Sequence, residues 1–512
     1  MPKALERSQG TANRPDLEIS GGHPTVKMKL TILLCVMSTC AVPVCGAADF
    51  ERPNILLIAI DDLNDWVGCL GGHPQAHTPN IDRLARQGTL FTNANCQAPI
   101  CGPSRISLLS GKHPHETGCY HQPTPAVAKD KNLVRNFLPL HFSRHGYKTM
   151  STGKISHGVP EKDIFQITGI KGRSGPKPKN QRRFHYTPPE TSFSGTQTDW
   201  GVYPEDESKM PDHQSASWAI QKLQEEHDSP FFLAVGFVRP HVPFYTQQKW
   251  FDRFPPESLV LPEIPVDDLQ DVPPIGRAVN HAPNYPQPEW LRANDNLQLR
   301  LCVQAYLACG SFVDDQVGRV LDALEASSYA DNTIVVLFSD HGYHLGEKEV
   351  VAKHTIWEES ARVPLIVSVP NMIQSRRVDR SVGLIDIYPT LVALAGLPAQ
   401  ADNSGDSLMP LLRNPDAEWR GGTLLSWGRG NFSYRTQRYR YIQYADGSEE
   451  LYDHAADPHG WKNLAEVPEH SSRIKDLRKC IPRTLSPLHS ATSGRPHNAW
   501  FQAYLREHGI QE

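Results

Sequence analysis

The chain has 512 residues, 39% hydrophobic and 21% charged, with 52 Lys+Arg against 56 Asp+Glu and a formal net charge of −4. That is a globular composition, which excludes a disordered, collagen-like or coiled-coil chain. The balanced charge argues against a nucleic-acid protein, whose affinity rests on clustered Lys and Arg, and the length leaves room for one large core plus a smaller one, as an enzyme needs.

At the start, Leu30 to about Val44 is apolar, is preceded by Lys27 and Lys29, and is followed by Gly46, Ala47 and Ala48. This reads as a signal peptide over about 28–48; at roughly 15 residues it is short of the ~20 that span a bilayer. A secreted or periplasmic protein without a stable membrane span is expected, with residues 1–27 an over-long gene start or an extension. Val44, which precedes Cys45, is not the small residue of a lipoprotein site, so no lipid anchor is expected there. Three of the ten cysteines lie in this leader. Cys302 and Cys309, on one helical pattern, would sit about 10 Å apart, beyond disulfide reach, and no pairing is predicted.

Residues 54–60 form an apolar run that stops at Asp61-Asp62, as a strand buried on both faces does. Phe231 to Phe237 and Ile334 to Phe338 repeat the pattern, the latter leading to Asp340-His341. Between them come helical patterns: one opened by Thr78-Pro79-Asn80, with Ile81, Leu84 and Ala85 on one face and Gly88 as its stop, and a longer one from Leu299 to about Ala326. The alternation predicts an α/β domain over about 49–417, built on a large, mainly parallel, helix-flanked sheet, with ligands gathering at the carboxyl ends of its strands. Residues 160–215 and 252–297 read as surface insertions that shape a cleft. From 418 to 512 the pattern becomes short, aromatic and alternating, with a hairpin through Tyr434–Tyr444, Asp446-Gly447 and Leu451-Tyr452; this predicts a smaller C-terminal α+β subdomain that ends in a helix. Asn431-Phe432-Ser433 is a glycosylation triplet.

Asp61-Asp62 alone reads equally as a turn or cap. Joined by Asp340 at another strand end, three carboxylates converge, repel one another and call for a hard cation such as Ca²⁺ or Mg²⁺. His341 suits transition metals better, so ligand type does not choose the ion. Pro103 fits the first turn of a helix and Gly111 its exit, which puts Cys101 at a helix amino terminus, where a thiolate is favoured; the alternative is a buried structural thiol. Cys96 and Cys101 lack the second pair a zinc site needs.

Cys101-Gly102-Pro103-Ser104-Arg105, continuing to Leu109-Ser110-Gly111, resembles the type I sulfatase signature, in which the Cys is oxidised to formylglycine. Gly153-Lys154-Ile155-Ser156-His157, Arg239-Pro240-His241, Ser339-Asp340-His341-Gly342 with Leu345-Gly346-Glu347, and Ala352-Lys353 follow in the family's order. The resemblance spans about Pro53 to Leu464. Pro211-Asp212-His213-Gln214-Ser215 and Asp315-Gln316-Val317-Gly318-Arg319 are similar to the iduronate-2-sulfatase branch. It implies the alkaline phosphatase-like fold and an exported sulfuric ester hydrolase acting on sulfated carbohydrate, here the 2-O-sulfate of iduronate-type uronic acid. It also implies one Ca²⁺ held by Asp61, Asp62, Asp340, His341 and the modified Cys101. Arg105 and Lys154 would orient the formylglycine hydrate and His157 would take a proton from it, while His241 and Lys353 would bind sulfate oxygens. A formylglycine-generating enzyme is the implied maturation partner. His73, His77, His113, His115, His344 and His354 stay unassigned. Another sulfated glycan or small sulfate ester, a phosphoester hydrolase of the same fold, and a non-catalytic binder with unmodified Cys101 remain as alternatives.

Overall fold

Eight strands form the central sheet of the computed structural model, which describes residues 52–187, 197–280 and 285–492 with 506, 507 and 509. The leader and most residues after 492 lie outside the described residues. In chain order the strands are β1 (Asn54–Ile60), β2 (Thr89–Phe91), β3 (Lys148–Gly153), β4 (Ile167–Lys171), β5 (Phe231–Phe237), β6 (Thr333–Ser339), β7 (Leu365–Ser368) and β8 (Arg376–Val378). Their spatial order is β8-β2-β7-β6-β1-β5-β3-β4. Neighbours from β6 to β4 pair in parallel, and β7 alone runs against both its neighbours. The sheet is therefore mainly parallel, as expected.

The three long apolar runs are its centre. Every residue of β1, β5 and β6 is buried, because helices cover both faces and no side chain of the strand has a solvent side to point to. Helix α1 (Pro79–Gln87) buries Ile81, Leu84 and Ala85 as its periodicity demands. Gly88 ends it in extended conformation, not the left-handed turn expected of a terminating glycine; a Cβ there would meet the Val367 carbonyl at 2.6 Å, so close approach to β7 is what requires glycine. Two further helices matter here, α2 (Cys101–Ser110) and α3 (Pro211–Gln224), together with the long α4 (Pro288–Glu325), which is interrupted by non-helical backbone at 293–296. Cys302 and Cys309 lie on α4, buried and unpaired. Among the described residues no helix is long and apolar enough to cross a membrane.

Residues 160–215 are more than insertion. They supply β4, the edge of the central sheet, whose partly exposed face hides the apolar pattern of a core strand. Beyond the central sheet, β9 (Gly422–Trp427), β10 (Asn431–Thr436), β11 (Tyr439–Gln443) and β12 (Glu449–Asp453) form an antiparallel meander. The turn at Asp446-Gly447 joins β11 to β12, whereas Tyr434–Tyr444 spans two strands and not one arm of a hairpin. Leu425, Trp427, Ile442, Tyr444 and Tyr452 from this sheet join the main core. Asn431 of the glycosylation triplet is buried within β10, its amide donating to the Trp427 carbonyl at 3.1 Å, so it is closed to a glycan.

Candidate active site

Four adjacent strands deliver the acidic and basic motifs to one place. Ile60 at the end of β1 is in register with Ser339 at the end of β6 and with Phe237 at the end of β5, and Gly153 at the end of β3 is in register with Gly236. Asp61-Asp62, Asp340-His341, Arg239 to His241 and Lys154 to His157 consequently emerge along one edge, as strand carboxyl ends in such sheets do. Backbone bonds continue past the strands, Asp340 N donating to the Ile60 carbonyl at 3.0 Å and Asp61 N to that of Phe237 at 3.1 Å. Gly153 has φ of 76°, and a Cβ there would lie 1.7 Å from the Gly236 oxygen, so only glycine lets Lys154 turn off the sheet. Asp62 holds φ of 65°, a costly region for a residue with a Cβ. Its amide donates to Asp340 Oδ1 at 3.2 Å and its carbonyl accepts the Tyr306 hydroxyl at 2.8 Å, which holds the turn.

Cys101 is the first residue of α2. Pro103 follows in the first turn, and Gly111 ends the helix with φ of 70°. The Cys101 thiol, 1% exposed, lies 3.2 Å from His341 Nε2 and 3.2 Å from Lys353 Nζ, and His157 lines the cleft beside it. Burial would raise its pKa, yet Lys154, Lys353 and His341 together hold it well below the usual thiol range. One turn along, Arg105 Nε donates to Asp340 Oδ2 at 2.6 Å and Nη2 to Asp61 Oδ1 at 3.4 Å, while Nη1 donates to the Ile155 carbonyl at 3.1 Å. The Ser104 hydroxyl donates to the Asp340 carbonyl at 2.5 Å. Lys154 donates to Asp61 Oδ2, and Lys353 to Asp62 Oδ1 at 2.7 Å.

The three carboxylates are fully buried. Burial and the Cys101 thiolate act to raise Asp61, but Lys154, His241 and Arg105 bring it below the usual carboxylate range. For Asp340 burial prevails over Arg105 and His341 and pushes it up to about 6. His341 shows the opposite balance, since Asp340 and Cys101 overcome burial and raise it to about 9. Its Nδ1 faces the Gly342 carbonyl at 2.9 Å, which leaves Nε2 toward Cys101, Asp62 Oδ1 at 3.3 Å and Asp340 Oδ1 at 3.6 Å. Ligand atoms of Asp61, Cys101, Asp340 and His341, and likewise of Asp61, Asp62, Cys101 and His241, lie within 4.8 Å of one another. Asp62 Oδ2 is buried with no hydrogen-bond partner. A buried carboxylate oxygen left free inside such a cluster fits a cation better than it fits a closed hydrogen-bond network.

All ten residues singled out from the motifs therefore meet around Cys101. A cavity of about 590 Å³ opens beside them, lined by Asp61, Lys154, His157 and His241 and by residues of the 156–174 segment. Several positioning contacts escaped the sequence reading. Asp212 at the start of α3 accepts the amides of Val238 at 2.7 Å and Arg239 at 2.9 Å, fixing the exit of β5. Buried Arg239 then donates to the carbonyls of Tyr245, His241 and Ser174. Asp212 stood in a motif already noted; Ser104, Tyr306 and Arg239 act on backbone carbonyls, which leave no mark in a sequence. His344 is enclosed against Thr355 at 2.7 Å, and His113 and His115 stack on each other at 5.3 Å.

A family model for sulfatases matches residues 53–397, and one for the N-sulphoglucosamine sulphohydrolase C-terminal region matches residues 346–486. A sulfatase of Formosa agariphila is 41% identical over 471 residues, covering 90% of this chain and 91% of that protein. Iduronate 2-sulfatase of Mus musculus is 32% identical over 410 residues, covering 69% of this chain and 70% of its own. Among solved structures, a 2-O GAG sulfatase superposes with a TM-score of 0.65 at 26% identity, covering 84% of this chain and 91% of that one. The chain belongs to the type I sulfatases of the alkaline phosphatase-like superfamily, and it is a sulfuric ester hydrolase.

Proposed function

We propose that this sulfatase removes the 2-O-sulfate of iduronate-type uronic acid in a glycosaminoglycan-like polysaccharide, with Cys101 carried as formylglycine and Ca²⁺ held by Asp61, Asp62, Asp340 and His341 with the modified Cys101. The substrate reading is supported by the likeness to iduronate 2-sulfatase and to a 2-O GAG sulfatase. The single observation that carries the chemistry is the meeting of Lys353 Nζ and His341 Nε2 on Cys101 Sγ, at 3.2 Å each, beside three buried carboxylates.

A sulfate monoester shields its sulfur behind anionic oxygens, so a site must neutralise those oxygens and protonate the leaving alcohol. When present, the formylglycine hydrate and the cation would supply an oxygen nucleophile and positive charge against the sulfate oxygens. The chain's own residues do the rest. Arg105 ties the Asp61 and Asp340 carboxylates to α2 while Lys154 holds the other oxygen of Asp61, and together they keep position 101 oriented. Lys353, anchored on Asp62, directs its ammonium at the group in position 101 and so faces incoming sulfate oxygens. His157, on the cavity wall beside position 101, would take a proton from it. His241 has one ring nitrogen against the Val242 carbonyl at 2.6 Å and the ring on the cavity wall, where it can attend the leaving oxygen. Export through the leader to a secreted or periplasmic location, and a formylglycine-generating enzyme as maturation partner, belong to the same reading.

The test is sulfate release from defined glycosaminoglycan disaccharides that differ only in sulfate position. Release from the 2-O-sulfated uronate ahead of 6-O- and N-sulfated isomers is expected. Preference for another position, or faster turnover of aryl phosphate than of aryl sulfate, would overturn the reading.

A further inference from the structure

The cavity beside Cys101 is larger than a sulfate group requires, and one wall of it is basic. Its lining includes Lys162, Lys171 and Arg173. All three side chains are exposed, and none makes a hydrogen bond or an ion pair with another described residue. Of the carboxylates on the same lining, Asp61 is paired with Lys154 and Arg105, which leaves Glu161 alone, held by the Ser156 amide at 3.3 Å and hydroxyl at 3.1 Å, against three cations. The wall therefore carries a net positive charge, which a cleft concentrates on an incoming anion.

The backbone fixes where that charge stands. Lys171 closes β4 opposite Gly153, the residue just before Lys154. Gly172 N donates to the Gly153 carbonyl at 3.0 Å, and a Cβ at Gly172 would lie 2.5 Å from Lys154 N, so the segment rests directly on the catalytic strand end. Two residues later the Ser174 carbonyl accepts Arg239 Nη2 at 2.7 Å, and the same Arg239 holds the His241 carbonyl at 3.0 Å. Arg173 thus sits between two anchors, each tied to a residue of the sulfate-ester site. A side chain on a fixed backbone loses less entropy on binding than one on a loose loop.

We infer that Lys171 and Arg173 form a second anion subsite, separate from the site around Cys101, that takes a further carboxylate or sulfate of the oligosaccharide. This rests on the reading of the substrate as a sulfated uronate polymer, in which such groups recur from ring to ring. A small neutral alcohol sulfate would leave the subsite empty, so the wall selects for chain substrates over simple esters.

The inference is tested by binding, in protein made unreactive by Cys101→Ala, of a 2-O-sulfated glycosaminoglycan tetrasaccharide measured by calorimetry. Adding Arg173→Ala or Lys171→Ala should weaken binding about tenfold, with the difference shrinking as salt rises, and Arg173→Lys should bind like the parent. Repeating the comparison with a carboxyl-reduced ligand and with one lacking the second sulfate identifies the group. The Arg173 effect disappears with the ligand whose anion it reads, and either assignment supports the subsite. Unchanged affinity in both alanine variants, an effect that survives in both altered ligands, or no measurable binding would overturn it. Sulfate release by the unmutated enzyme from the 2-O-sulfated disaccharide reports separately on the substrate reading.

Discussion

Arg105 Nε donates to Asp340 Oδ2 at 2.6 Å, with the two side chains only 2% and 1% exposed. This pair ties the helix that bears Cys101 to the strand end that bears His341. Arg105→Lys keeps the charge but loses the planar fork that also reaches Asp61 and the Ile155 carbonyl. Leaving Asp340 without its partner in the interior should cost about 3–5 kcal/mol. Turnover should fall about a hundredfold, as when one preorganised donor is removed. Denaturant unfolding and aryl sulfate hydrolysis measure the two effects; a variant matching the parent in both would remove Arg105 from this role.

The buried carboxylates predict dependence on a divalent cation. Chelation should abolish turnover and added Ca²⁺ should restore it. Asp61→Asn keeps the shape while removing charge, so cation affinity should weaken at least about tenfold. Calorimetric titration of the stripped protein with Ca²⁺ checks this, and an unchanged affinity would exclude Asp61 from the ion site.

Acid stability should be governed in part by Glu358, which stands away from the reacting groups. Burial acts to raise its pKa, but Arg435, His454 and Arg440 hold it well below the usual glutamate range. Arg435 Nε reaches it at 3.0 Å and Arg440 Nη2 at 2.6 Å, joining the meander to the segment after Lys353. Because the folded value is depressed, the stabilisation is fully present above the unfolded glutamate pKa of about 4.3 and is lost as pH falls through the folded value. Glu358→Gln should therefore lower stability at pH 7 by about 3–5 kcal/mol. It should also flatten the decline below about pH 4. Thermal midpoints across pH for both proteins test the sign; parallel curves would refute it.

Legibility followed burial. Strands β1, β5 and β6 announced themselves because all seven residues of each are buried, so the apolar run is unbroken. Strands of three or four residues, such as Thr89–Phe91 and Leu365–Ser368, are too short to show a period. Edge strand β4 alternates with solvent and so read as surface. The site motifs other than Ala352-Lys353 were legible because each directly follows a strand or opens a helix. Their pairings were not: Lys353 finds Asp62 across 291 positions, from a segment beyond the end of β6 that belongs to no strand.

The central claim is that position 101 carries a post-translationally made aldehyde that does the chemistry. Its most direct measurement is the mass of the peptide spanning Cys101, from protein co-expressed with a formylglycine-generating enzyme, read beside turnover of the same preparation. A peptide lighter than the cysteine form by H₂S less one oxygen, in a fraction that rises with specific activity, is the predicted result. Full activity from chains that keep an unmodified Cys101 would contradict it.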